Sequence, residues 1–218
     1  MRALRPTPRL GTDVEWDRAE AALRDGLSAC GADWTELPGE GAFYGPKLEF
    51  QISDALGRLW QLGTIQVDGN LPDRLGSRYV GEDNAEHVPF MLHRAILGSM
   101  ERFLGILIEH YAGAFPLWLA PVQVAVLNVS EKSQDYAVKV AEQCKAAGLR
   151  VEADLGGEKI GAKIRQATVN KVPFMLVIGE KEAAEGKVAV RHRTEGDKGA
   201  VALEAFVEEA RAAVGARR

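Results

Sequence analysis

Cysteine is scarce: the 218 residues contain two, Cys30 and Cys144. Two such thiols make neither a disulfide framework nor a CxxC metal or redox motif. Cys30 extends the helical stripe Ala19, Leu23, Leu27, and Cys144 extends Ala137, Val140, Ala141, so both are expected as small core side chains. Long apolar runs are also missing. The longest, over residues 103–119, is broken by Gly105, Glu109, His110, Gly113 and Pro116, whereas a bilayer span needs roughly 20 uninterrupted residues. A membrane is therefore not an expected partner. Residues 1–9 are basic but have no apolar core, so no signal peptide is indicated and the cytoplasm is the expected location. No internal repeat or low-complexity tract is present.

A strong excess of either charge is lacking as well. The net charge is −4, with 11 Lys+Arg against 17 Asp+Glu up to Pro116 and 16 against 14 beyond it. The slightly basic second half is far from the character of a protein that holds nucleic acid by charge alone, so any RNA binding has to rely on local patches.

What is present divides into two patterns. Thr12 followed by Glu15 has the form of a capping box and opens an amphipathic helix to about Cys30. Residues 43–52 and 59–67, rich in aromatic and branched side chains and separated by a turn at 54–57, predict two antiparallel strands. A loop at 68–77, a short strand at Tyr79 and Val80, and a polar loop at 81–86 lead to a predicted long helix over 94–112. After Pro116 and Pro121 strands and helices alternate: strands at 122–128, 149–153, 173–179 and 188–192, and helices at 134–147, 158–168 and 201–214. That alternation predicts a largely parallel sheet covered by helices. The first half would leave sheet edges open unless neighbours are supplied from elsewhere.

Several residues have a chemical reading beside a plain one. Tyr44 and Lys47 flank a Gly-Pro turn, where a solvated lysine is the plain alternative. In the run 60–68, strict alternation would put Gln61, Gly63, Ile65 and Val67 on one face and Leu62, Thr64, Gln66 and Asp68 on the other. Amides amid that apolar surface need partners, either each other or a bound polar molecule. Ala95, Gly98, Ser99 and Arg102 fall at helical spacing, as small residues ending in a guanidinium. That stripe suits either a nucleotide or close packing of the helix on a sheet. His93 lacks convincing companions for zinc, which takes at least three protein ligands.

The runs 39–47 (GEGAFYGPK), 60–68 (WQLGTIQVD), 79–84 (YVGEDN), 93–103 (HRAILGSMERF), 115–124 (FPLWLAPVQV) and 158–165 (EKIGAKIR) closely resemble bacterial threonyl-tRNA synthetases. The resemblance runs nearly the whole length. It implies an α+β part on an incomplete antiparallel class II synthetase sheet (1–116), then an α/β anticodon-binding domain with a mainly parallel sheet (117–218). Arg102 matches the class II motif 3 arginine on the ATP phosphates, Gly98 and Ser99 the floor under adenine, and Gln61 an ATP contact. Tyr44 and Gln66 match threonine contacts, and Lys47 a lysine near the adenylate. His93 matches one of three zinc ligands of the family, while Glu182 and Arg191 match readers of anticodon bases. Lys159 and Lys163, on the helix face opposite Ile160 and Ile164, are expected at phosphates.

The implied cofactor is ATP with magnesium, and the implied partner is threonine tRNA, not DNA. Motifs 1 and 2 and the other two zinc ligands of the family fall upstream of residue 1, so zinc is not expected on this chain and catalysis by it alone is expected to be incomplete. A homodimer, or pairing with an N-terminal catalytic portion, is compatible with this, as is a non-catalytic tRNA-binding paralogue or a regulatory partner of a full-length synthetase. Leu62 stands where the family commonly has cysteine, Gly69 where it has phenylalanine, and Gly156-Gly157 where it has Arg-Asn. That asparagine is an anticodon contact, so anticodon discrimination is expected to be blunted.

Overall fold

In the computed structural model, Thr12 caps the first helix as the sequence predicts. Its side chain accepts from the Glu15 N–H at 3.3 Å and the Glu15 carboxylate accepts from the Thr12 N–H at 2.6 Å, opening α1 (Asp13–Cys30). The structure describes Pro6 and residues 8–217; most of the basic stretch 1–9 lies outside these. Trp16 and Ala19 anchor the helix, but Cys30 ends it exposed. The stripe therefore fails at its last residue, because Gly31 turns the chain left-handed there (φ +63°) before Cys30 meets a core.

The chain divides into two compact units, Met1–Leu107 and Ile108–Arg218. In the first, β1 (Lys47–Ser53) and β2 (Leu59–Asp68) form the expected hairpin. The helix α2 (Leu71–Arg74) and a small ladder of β3 (Tyr79–Val80) with β4 (Glu86–His87) follow. Next comes β5 (Met91–Ala95), which pairs with β2 to complete the antiparallel order β1-β2-β5. The helix predicted from residue 94 thus begins later, as α3 (Met100–Tyr111). Gly98 explains the delay. It sits at φ +64° against the Leu62 backbone, where a Cβ would lie 2.4 Å from the Leu62 carbonyl oxygen, so strand and helix are joined by a turn that only glycine tolerates.

The second unit contains β6 (Val124–Asn128), α4 (Gln134–Ala146), β7 (Val151–Asp154), α5 (Ile160–Val169), β8 (Phe174–Ile178), α6 (Glu180–Glu185), β9 (Lys187–His192), β10 (Gly196–Ala202) and α7 (Leu203–Gly215). The strand order is β10-β9-β8-β6-β7. The neighbours β7, β6 and β8 run parallel, and β9 and β10 extend the sheet as an antiparallel hairpin. Every residue of β6 is buried, as befits the middle of a sheet covered on both faces. One face packs on α4 and α7 through Val140, Cys144, Phe206 and Ala210, and burial pushes the Cys144 thiol up to about 11. The other face packs on α5 through Leu127, Met175 and Ala167. Burying each large apolar side chain stabilises the unit by about 1.5–3 kcal/mol. The sequence did not signal α6 or β10: α6 has six residues, and β10 is an exposed edge carrying Gly196, Gly199, Asp197 and Lys198. Among the described residues no helix is long and apolar enough to cross a membrane.

Candidate functional site

Pairing across three strands brings together residues that are far apart in the sequence. Lys47 on β1 lies opposite Gln66 on β2, and Gln66 lies opposite His93 on β5. Residues directly opposite share a face of the sheet, so this row displays a cation, an amide and an imidazole side by side. Tyr44, just before β1, donates its hydroxyl to Gln66 Oε1 at 2.6 Å, and its ring lies 5.8 Å from the His93 ring. Lys47 forms an ion pair with Glu49, two residues along the same face.

Asp68 closes one side of this cluster. It is buried, lies 3.0 Å from His93 Nε2, and accepts the N–H groups of Asn70 at 2.8 Å and Leu71 at 3.0 Å. Burial opposes its charge, yet the Leu71 N–H, the His93 ring and the Asn70 N–H together hold its carboxyl below the usual carboxylate range. Asn70 in turn donates to the Tyr44 carbonyl at 3.1 Å, fixing the loop that carries the tyrosine.

At the far end of β2 lies a second group. Arg102 donates to the Gln61 carbonyl at 3.2 Å and stacks on Trp60, its guanidinium 5.3 Å from the ring centroid. Trp60 is fixed by its own N–H to Asp54 Oδ2 at 2.8 Å. Asp54 also accepts the backbone N–H groups of Leu56 and Arg58, both at 2.9 Å, and pairs with the Arg58 side chain. Ser99 Oγ accepts the Arg102 N–H at 3.3 Å at the start of α3. The expected helical stripe of Ala95, Gly98, Ser99 and Arg102 does not exist as such. Ala95 ends β5, Gly98 forms the turn and Ser99 precedes the helix.

Strict alternation along β2 is also corrected. Phe50 pairs with Gly63 but Gln51 pairs with Gln61, which leaves Leu62 as an extra, buried residue in a β-bulge. The bulge separates Gln61, whose side chain is exposed, from the face expected for it. Of the two amides, Gln66 finds its partner in Tyr44.

In the second unit Glu182 is on α6, and its carboxylate accepts the Gly179 N–H at 3.0 Å. Arg191 is on β9 opposite Met175, so it projects from the face covered by α5. Lys159 is exposed and takes the N-cap position of α5 with extended backbone. Lys163 contradicts the expected exposed position: it is 1 % exposed. Ile160, Lys163, Ile164 and Ala167 follow the i, i+3, i+4, i+7 spacing of one helix face, and that face packs on the sheet. Lys159 lies outside the helix proper, so its spacing to Lys163 carried no phase information. The Lys163 ammonium donates to Asn128 Oδ1 at 2.5 Å, the Asn128 carbonyl at 3.2 Å and the Asp154 carbonyl at 3.1 Å.

Residues 12–111 match the tRNA synthetase class II core domain (G, H, P, S and T), and residues 123–213 match an anticodon binding domain. A threonine–tRNA ligase of Dechloromonas aromatica is 60% identical over 99% of this chain and 34% of its own length. One of Burkholderia multivorans is 60% identical over 94% of this chain and 32% of its own. Along nearly its whole length the chain is similar to threonyl-tRNA synthetases. The crystal structure of the RNA binding domain of threonyl-tRNA synthetase from Cryptosporidium parvum superimposes with a TM-score of 0.88 at 38% identity, covering 96% of this chain and 53% of that one. The chain spans about a third of the length of the curated family members it matches.

Two of the substitutions relative to the synthetase pattern have a visible setting. Gly69, in place of phenylalanine, faces another aromatic ring: a Cβ there would lie 2.9 Å from Phe90. At Gly156-Gly157, in place of Arg-Asn, Asp154 Oδ1 accepts the Gly156 N–H at 3.1 Å and fixes the turn into α5. For zinc the fit is poor, since no three His, Cys, Asp or Glu side chains among the described residues are grouped to hold a metal ion. His93 Nε2 is committed to Asp68 instead.

Proposed function

We propose that these residues form the C-terminal part of an enzyme that attaches threonine to its tRNA at the expense of ATP. In this reading the first unit supplies part of the ATP and threonine site and the second unit binds the anticodon. The observation that carries it is the 60% identity to threonine–tRNA ligases along 99% of the chain, which spans both units. The site roles follow from position and chemistry. Arg102, steadied on Trp60, offers its remaining guanidinium donors to the ATP phosphates, with magnesium accompanying the nucleotide. Gln61, Gly98 and Ser99 border the nucleotide, Tyr44 and Gln66 hold threonine, and Lys47 stands near the adenylate. Glu182 and Arg191 read bases while Lys159 supplies a phosphate contact. Location in the cytoplasm and association with a second copy belong to the same proposal.

The test is a titration of the 218-residue chain with threonine tRNA and with an unrelated tRNA at two salt concentrations. Arg191→Ala should weaken binding of threonine tRNA by about tenfold, in line with a base contact of roughly 1–3 kcal/mol. Lys159→Ala should weaken both tRNAs alike and flatten the salt dependence. The wild type should separate the two tRNAs by less than about a hundredfold, because Gly157 has no side-chain amide to offer. Unchanged affinity in both variants would overturn the assignment of this surface.

A further inference from the structure

A buried ammonium is costly unless every donor is used, and Lys163 meets that condition with nothing to spare. Its three hydrogens have three acceptors: Asn128 Oδ1 at 2.5 Å, the Asn128 carbonyl at 3.2 Å and the Asp154 carbonyl at 3.1 Å. The Asp154 carboxylate lies 3.6 Å away as counter-charge. These acceptors are the last residues of the parallel neighbours β6 and β7. The chain leaves β6 to form β7 on one side and then returns to form β8 on the other, and such a reversal leaves a crevice at the carboxyl ends of the strands where ligands bind in α/β sheets.

The network continues across that end. Asn128 Nδ2 donates to the Ser130 carbonyl at 3.1 Å, while Ser133 Oγ is shared between the carbonyls of Ser130 at 3.0 Å and Ile178, the last residue of β8, at 2.8 Å. On the β7 side, Asp154 Oδ1 holds the Gly156 N–H at 3.1 Å. One lysine therefore ties together the ends from which the turn at 154–158 and the segment at 128–133 emerge.

We propose that Lys163 is a positioning residue of the tRNA-binding surface: its ammonium fixes the turn at 154–158 in the form that meets the RNA, and makes no RNA contact of its own. This rests on the reading of the second unit as an anticodon-binding domain. It separates two lysines of similar sequence setting, since Lys159 is exposed and Lys163 has no donor left for a phosphate.

The experiment compares the full chain with Lys163→Met and Lys159→Ala, using labelled threonine tRNA over a range of salt, at a temperature where circular dichroism shows each variant folded. Lys163→Met should lose at least tenfold in affinity with the slope of log K against log salt unchanged, whereas Lys159→Ala should lower the slope by about one. Amide exchange should accelerate in Lys163→Met at residues 155–158 and stay slow in β8; a purely structural role would speed exchange throughout the sheet. Wild-type affinity in Lys163→Met, a slope reduced by about one, or exchange accelerated throughout the sheet would overturn the proposal. Should Lys163→Met not fold, the wild-type ammonium protons decide by NMR: they should exchange slowly and keep their shifts when tRNA is added, and fast exchange or a large shift would overturn it. Failure of the wild type to bind either tRNA would overturn the reading of the domain itself, a result distinct from all of these.

Discussion

The hydroxyl of Tyr44 donates to Gln66 Oε1 at 2.6 Å, across 22 residues of chain and beside the row formed by Lys47, Gln66 and His93. This bond orients the amide. Tyr44→Phe leaves the ring against His93 and removes only the donor, so it should destabilise the first unit by about 1 kcal/mol. Urea unfolding followed by tryptophan fluorescence is the check, because Trp16, Trp34 and Trp60 all lie in that unit and Trp118 in the other. An unchanged midpoint would mean that the bond contributes nothing in solution.

Asp54 supports the other end of the site through Trp60. Burial pushes its carboxyl up, but the donors of Trp60, Arg58 and Leu56 outweigh that and hold it far below the usual carboxylate range. A carboxylate whose folded-state pKa is lower than its unfolded value of about 3.9 adds stability at pH values above the latter. That stability is lost as pH falls through the folded value. Asp54→Asn should therefore melt at a lower temperature than wild type between about pH 5 and 8, with the gap closing progressively below about pH 4. Melting curves over that range provide the measurement; a gap that widens on acidification would reverse the sign and refute the account.

Residues 117–218 should fold without the rest, because both faces of their sheet are covered by helices of the same unit. Starting at residue 108 instead should raise the melting temperature. That longer piece retains the Lys171 bond to the Ala112 carbonyl at 2.7 Å and the Arg193 bond to the Ala114 carbonyl at 2.9 Å. The two pieces, made separately and melted in parallel, test this. A 117–218 piece without cooperative unfolding would remove the proposed boundary.

The elements that sequence pattern located well are those whose signal is local. Thr12 and Glu15 cap α1 through three residues of chain, and the apolar run of β6 identifies a strand buried on both faces. Local pattern misleads where tertiary geometry decides. Gly98 fits a helical stripe by spacing, yet its close approach to Leu62 makes it a turn. The bulge at Leu62 depends on pairing with β1, and nothing in a single strand announces it. Lys163 reads as a surface residue because it is a lysine, although its neighbours Ile160, Ile164 and Ala167 define the buried face that contains it. No local pattern marks Asp54, inside a turn, or Asp68, at a strand end, as an organiser. Tyr44, Gln66, Lys47 and Arg102 stand out only through the family motifs, since spacing alone leaves each a plain alternative.

Recognition of the anticodon by the second unit is tested most directly by footprinting. Threonine tRNA, end-labelled and treated with a single-strand nuclease, is probed with and without the 218-residue chain, and again with Arg191→Ala. The account predicts protection concentrated in the anticodon loop, weakened in the variant, with the acceptor end cut as in free tRNA. Protection spread evenly along the molecule, or an anticodon loop cut equally with and without the wild-type chain, would contradict it.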